Sequence, residues 1–138
     1  MFVTPRIGQA RDFYVSHFGF QIVFEADWYV QLHGERSGGA PALELAFMRP
    51  EVEDQPAAVQ QALTGAGVIL TIEVEDATAE HHRLTAAGAL SENIVPLRDE
   101  PWGQRHFLFR DPAGTLVDIV QAIPPAGDFV SAYTVPLE

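Results

Sequence analysis

Two carboxylates stand in stretches that are otherwise apolar. Glu44 interrupts Ala42–Met48, where Leu43, Leu45 and Phe47 alternate with Ala42, Glu44, Ala46 and Met48, and Asp118 follows it by 74 positions inside Leu116–Ala122. Successive side chains of a strand point to opposite faces, so Glu44 is expected to point away from the large apolar residues. A carboxylate in an apolar cup is a candidate proton-transfer group, because desolvation favours its neutral form. Beside an arginine such as Arg105 it would instead be an ordinary hydrogen-bonded partner, and the pattern alone leaves both readings open.

The chain has five histidines and no cysteine, which excludes a disulfide framework, a thiolate nucleophile and a Cys-based metal site. His17 falls on the first expected helix, His81 and His82 on the second, and His33 at a strand end. His106 falls in a strand beside the expected concavity, which makes it the candidate ligand or general base. Trp28, Tyr29, Trp102 and Phe107 could stack on a planar or cationic ligand. For Trp28 and Phe107, both in strands, core packing is the competing account. Trp102, between Pro101 and Gly103, falls in a loop, where packing explains a large side chain less readily.

These residues need elements to hold them. Ala10, Phe13, Tyr14 and Phe18 recur at the spacing of an amphipathic helix that Gly19 would close. Gln21–Glu25 and Trp28–Leu32 read as strands, Gly34–Pro41 as a loop, and Ala42–Met48 as a third strand. Pro50, Pro56 and the acids Glu51, Glu53 and Asp54 mark a connection over residues 49–67, with a short helix-capable run at Ala57–Leu63. Val68–Val74 is the next strand, Asp76 a helix N-cap, and Gly88 the end of that helix. Ile94–Leu97, Arg105–Arg110 and Leu116–Ala122 supply three more strands, with Asp111-Pro112-Ala113-Gly114 as the turn joining the last two. The grammar repeats, and a duplication is the economical reading. It implies an α+β fold of two βαβββ modules, each a curled sheet with a helix on its convex face and a concave face free for a ligand. The expected single domain spans 1–122, with modules at about 1–48 and 68–122 and a C-terminal tail at 123–138. That tail carries Phe129, Tyr133 and Val135, and either covers its own domain or reaches a second subunit.

Composition narrows the partners. With 138 residues and 47% hydrophobic content the chain can bury one sizeable core. Eight Lys and Arg against 19 Asp and Glu give a formal net charge of -11, which repels a phosphate backbone and attracts small cations. No nucleic-acid partner is expected. The first residues lack the basic stretch and apolar run of a signal peptide, and no segment approaches the length of a membrane span, so no membrane partner and a cytoplasmic location are expected.

The helix text Ala10-Arg11-Asp12-Phe13-Tyr14 closing in Phe18-Gly19-Phe20, with Asp111-Pro112-Ala113-Gly114 before Leu116-Val117-Asp118-Ile119-Val120, resembles the two ends of a vicinal-oxygen-chelate domain. That superfamily holds glyoxalase I, the bleomycin-resistance proteins and the extradiol dioxygenases. The stretch Glu100-Pro101-Trp102-Gly103-Gln104-Arg105-His106-Phe107 is similar to the corresponding segment of bleomycin-resistance proteins. The resemblance implies a glyoxalase/bleomycin-resistance fold and a homodimer, with the cup shared between chains or contained within each. In metal-dependent members two His and two Glu, from the first and last strands of the modules, hold a divalent ion. Glu44 matches one carboxylate position, and Asp118, one methylene shorter, matches the other. The second-half His position lies near Ile69, and the first-half His position would fall before Met1.

The expected function is therefore binding of a small organic molecule, cationic or aromatic, with no cofactor or metal expected. Trp102, Arg105, His106, Glu44 and Trp28 are the candidate ligand-binding residues. The alternative is a lyase or dioxygenase of the same superfamily, with Glu44 and His106 as candidate catalytic residues and a divalent metal held by carboxylates.

Overall fold

The computed structural model describes residues 1–35 and 43–134. The loop expected over Gly34–Pro41 lies outside these residues from position 36 onward, as do Ala42 and Val135. The elements run β1 (Phe2–Val3), α1 (Ile7–Phe18), β2 (Gln21–Glu25), β3 (Tyr29–Gly34), β4 (Leu43–Met48), β5 (Ile69–Glu73), α2 (Ala77–Ala86), β6 (Asn93–Glu100), β7 (Gln104–Arg110) and β8 (Leu116–Ala122). They form two four-stranded mixed sheets, ordered β1-β4-β3-β2 and β5-β8-β7-β6. In each, the first strand runs parallel to the last and the remaining pairs are antiparallel. This is the repeated βαβββ architecture that the sequence pattern implies. No helix of the described residues is long and apolar enough to cross a membrane.

The chain divides into two compact units. The first holds Met1–Gly67 together with Asp111–Thr115, and the second holds Val68–Arg110 with Leu116–Glu138. In the first unit, α1 buries Ala10, Phe13 and Tyr14, and Gly19 closes it in the left-handed conformation (φ 69°), returning its N–H to the Tyr14 carbonyl. Val30 and Leu32 alternate inward along β3, facing Phe47 and Leu45 across the ladder. The Tyr14 ring stacks on Phe47 with centroids 5.6 Å apart. The run expected to be helical at 57–63 forms only a 3₁₀ turn, Ala57–Val59.

One buried polar pair anchors this core. The Tyr14 hydroxyl donates to Asp111 Oδ2 at 2.7 Å, and Asp111 Oδ1 accepts the Thr115 N–H at 2.8 Å. Asp111 also closes its own turn, its carbonyl accepting the Gly114 N–H at 3.0 Å. Burial pushes the Asp111 carboxyl above the ordinary carboxylate range, against the pull of the Tyr14 hydroxyl and of the turn's backbone N–H groups. Burial first, then the neighbouring Asp111, pushes the Tyr14 phenol up.

In the second unit, α2 opens on Asp76, whose carboxylate accepts the N–H groups of Thr78 and Ala79 at 2.9 Å. Phe107, Phe109, Val117 and Ile119 are fully buried, with Ala77 and Leu84 of α2. β6 is longer than the Ile94–Leu97 expected. Pro96 has no N–H to give the ladder, and the register slips twice between Asn93 and Arg98 before resuming with Arg98 opposite His106. The strand tolerates the proline because it lies at the sheet edge.

Tyr14→Phe should cost about 1–3 kcal/mol in denaturant unfolding at neutral pH, since it leaves a buried acceptor without its donor. The raised phenol pKa gives a second sign. The unfolded chain releases this proton near the ordinary value of 10.0 while the folded chain keeps it. The contribution of Tyr14 is therefore whole below that pH and declines as pH rises beyond it. Tyr14→Phe should flatten the alkaline decline, and an unchanged slope would show that the phenol is not so held.

Candidate functional site

Strand register decides which side chains meet. In the second unit His106 lies opposite Val120 of β8 and Arg98 of β6, and Asp118 lies opposite Leu108 of β7 and Thr71 of β5. Because side chains alternate, His106, Asp118, Arg98 and Glu100 share the sheet face away from Phe107, Ile119 and α2. His106 reaches diagonally to Asp118, its Nδ1 2.8 Å from Oδ1, while its Nε2 lies 3.3 Å from Glu100 Oε1. The side chains of His106, Asp118 and Glu100 are 12%, 16% and 10% exposed.

The electrostatics of this cluster are anionic. Arg98 pairs with Glu100. Burial of Glu100 raises its pKa, but the hydrogen bonds and charges of Arg98 and His106 together outweigh it and hold the carboxyl below its ordinary range. Glu73, opposite Val120 at the edge strand β5, adds a third carboxylate to the same face. Both contacts of His106 are hydrogen bonds at once only when each ring nitrogen carries a hydrogen. With the hydrogen on Nε2, Asp118 Oδ1 faces an unprotonated nitrogen that an incoming N–H or cation would relieve, whereas Glu100 Oε1 accepts from Arg98 in either case.

Trp102 stands over this cluster in the turn between β6 and β7. Its Nε1–H donates to Gln104 Oε1 at 2.8 Å, and its ring is 6.5 Å from that of His106, inclined at 73°. The indole remains 38% exposed. His106 and Trp102 of the expected set are thus brought together.

Other expected residues go elsewhere. Arg105 neighbours His106 in sequence and therefore points to the opposite face, where its guanidinium engages Asp99 (2.5 and 2.9 Å) and approaches Thr78 of α2. Asp99 is correspondingly held below the ordinary carboxylate range. Arg105 is not the partner of Glu44. Glu44 belongs to the first unit, exposed, with the Gln31 side-chain amide donating to it at 3.3 Å and His33 opposite it in the ladder. Trp28, also in the first unit, is 38% exposed and lies against Tyr29 with centroids 5.4 Å apart. Phe107 is core, and His81 packs edge-on against it at 4.9 Å. His17 likewise packs on Phe13.

The residues described do not fit a divalent ion. The two ring nitrogens of His106 diverge onto different carboxylates, so His106, Asp118 and Glu100 do not converge on one point. Among the described residues no group of three or more His, Asp or Glu is placed to hold a metal. Ile69, at the second-half His position, carries no donor atom.

Glu100 and Arg98 were not among the residues expected in the site. The signal was present: a hairpin folded about Pro101–Gly103 sets Glu100 opposite Gln104 and therefore Arg98 opposite His106. Reading β6 as ending at Leu97 hid it.

A family model described as the glyoxalase/bleomycin resistance protein/dioxygenase superfamily matches residues 1–119. Among solved structures, a glyoxalase/bleomycin resistance protein/dioxygenase from Nocardioides aligns with a TM-score of 0.70 at 19% identity, covering 92% of this chain and 83% of that one. TioX from Micromonospora sp. ML1 aligns at 0.61 and 26% identity, covering 88% and 94%. Lactoylglutathione lyase from Agrobacterium tumefaciens aligns at 0.63 and 17% identity, covering 86% and 87%. No curated protein matches the chain.

Protein purified without chelator should carry no stoichiometric metal, and Ni, Zn, Mn or Fe(II) should leave its melting temperature unchanged. A site filled at 100 times its Kd would add about 2.7 kcal/mol, an upward shift of several degrees. Such a shift would show that donors converge in solution as they do not here.

Proposed function

The chain belongs to the glyoxalase/bleomycin resistance protein/dioxygenase superfamily, and from that membership we propose that it binds a small cationic, ring-bearing organic molecule without a metal. The site is the face of the second sheet that carries His106. One observation carries the reading: His106 sits between two carboxylates with the Trp102 ring 6.5 Å away. Asp118, whose donor depends on the His106 Nδ1 hydrogen, takes the ligand's positive group, and the exposed indole takes its flat face. The net charge of -11 favours the approach of a cation. A cytoplasmic location and a homodimer belong to the same proposal. For the dimer, the edge strand β2 is the candidate contact, since all five of its residues are exposed, Ile22, Val23 and Phe24 among them.

A metal-free lyase is the second reading. It draws on the 2.8 Å contact by which Asp118 would orient His106 as a base. It ranks lower because Nε2, the nitrogen left for a substrate, already faces Glu100.

Calorimetric titration with N-methylquinolinium tests the binding reading. Binding should weaken as salt rises, and Trp102→Ala should cost about 1–3 kcal/mol. Quinoline, which lacks the fixed charge, should bind less well. Equal affinity for the neutral and charged rings, or no effect of Trp102→Ala, would remove this face as the site. For the dimer, sedimentation velocity should give twice the chain mass, and Val23→Glu should return it to one chain; a monomeric parent protein overturns that part.

A further inference from the structure

We infer that the segment Ile123–Tyr133 is a wall of the His106 site, and that Phe129 and Tyr133 set its preference for cations carrying flat ring systems over compact ones. This rests on the binding reading above and deepens it. The turn that carries Trp102 is gripped at three successive carbonyls. The Ala126 N–H donates to Pro101 O at 2.8 Å, the Tyr133 hydroxyl to Trp102 O at 2.5 Å, and the Ile123 N–H to Gly103 O at 3.0 Å. These bonds fasten the backbone of the turn, and the Nε1–H bond to Gln104 orients its indole.

The approach is close enough to dictate residue 103. Gly103 has a φ of 104°, and a Cβ there would meet Ile123 O at 2.9 Å, the Tyr133 hydroxyl at 3.0 Å and Pro125 N at 3.3 Å. A side chain would be strained by the dihedral and would push the segment off. Glycine is therefore part of the clasp.

The grip is polar, and the rings it carries stay open to solvent. Phe129 lies 6.2 Å from Trp102 at 67°, an edge-to-face contact, and Trp102 meets His106 edge-on in turn. Phe129 and Tyr133 are 41% and 39% exposed, too open for core residues. Phe129 extends the indole into an aromatic surface that begins beside the carboxylates, and Tyr133 fastens the turn through its hydroxyl. A compact cation would touch the carboxylates alone. A cation fused to a flat ring would also cover Trp102 and Phe129, so the segment rewards the ring and not the charge.

The chain has two tryptophans, so with Trp28→Phe as the reference protein all indole emission comes from Trp102. In that reference, N-methylquinolinium should bind more tightly than tetramethylammonium by about tenfold. Phe129→Ala and Tyr133→Phe should each bring that ratio toward one, chiefly by weakening N-methylquinolinium, with tetramethylammonium affinity and melting temperature little changed. Without ligand, both should shift Trp102 emission to longer wavelength and increase its quenching by acrylamide. Gly103→Ala should act in the same direction, and Phe129→Leu guards against a fold lost in Phe129→Ala. A ratio left intact by Phe129→Leu and Tyr133→Phe, while Trp102→Ala still collapses it, overturns the role of the segment and leaves the binding site standing. If Trp102→Ala leaves both affinities unchanged, or neither cation binds, the binding reading fails and the inference falls with it.

Discussion

Successive side chains of a strand point to opposite faces of its sheet, and the arrangement of polar groups in the second unit depends on how β7 and β8 use that alternation. Phe107, Phe109, Val117 and Ile119 take the face under α2 and are fully buried. Their burial obliges the intervening residues, His106 on β7 and Asp118 on β8, to the other face. Arg105 and His106, adjacent in sequence, cannot both serve one site, and the apolar residues decide which of them does. A slip of one residue would bring phenylalanine from β7, or valine and isoleucine from β8, to the face of His106 and charge to the core, so hydrophobic burial selects the register.

The turn at the end of those strands contributes to the same register. Asp111 closes the Asp111–Gly114 turn through its backbone and caps Thr115 through its side chain, while Tyr14 holds its remaining carboxylate oxygen. From this turn the ladder runs back to set Leu108 opposite Asp118 and His106 opposite Val120. The diagonal from His106 to Asp118 follows. The buried hydrogen bond stabilises the turn from which this ladder starts, by about 1 kcal/mol net for a typical case and more where its loss leaves an acceptor unpaired.

Membership of the superfamily does not choose the reaction, because one scaffold hosts different chemistries with different residues in equivalent places. The side chains present make that choice here. Ile69 carries no donor atom, and His106 sends its nitrogens apart to Asp118 and Glu100. Three carboxylates share this sheet face with His106, beside the exposed Trp102 indole. Arg98 offsets one of those charges by pairing with Glu100, and Arg105 is paired with Asp99 on the other side of the sheet.

By itself the sequence determined whatever depends on local spacing. The period of Ala10, Phe13 and Tyr14 identified α1, Asp76 and Gly19 marked helix ends, and the alternation of Ala42–Met48 and Leu116–Ala122 identified two strands and their lone acids. His106 and Trp102 could be singled out because a histidine in a strand and a tryptophan in a turn are locally unusual. What only the tertiary structure decided depends on pairing between distant segments. Glu100 meets His106 because β6 resumes its ladder after the slips around Pro96, and Arg105 is turned from His106 because the core lies on its side. The segment 123–133 docks on the Trp102 turn because three successive carbonyls of that turn accept its donors. Helix caps and strand alternation are set by neighbours within a few residues, whereas register, bulges and the docking of a tail are set by which backbone groups find partners across the fold.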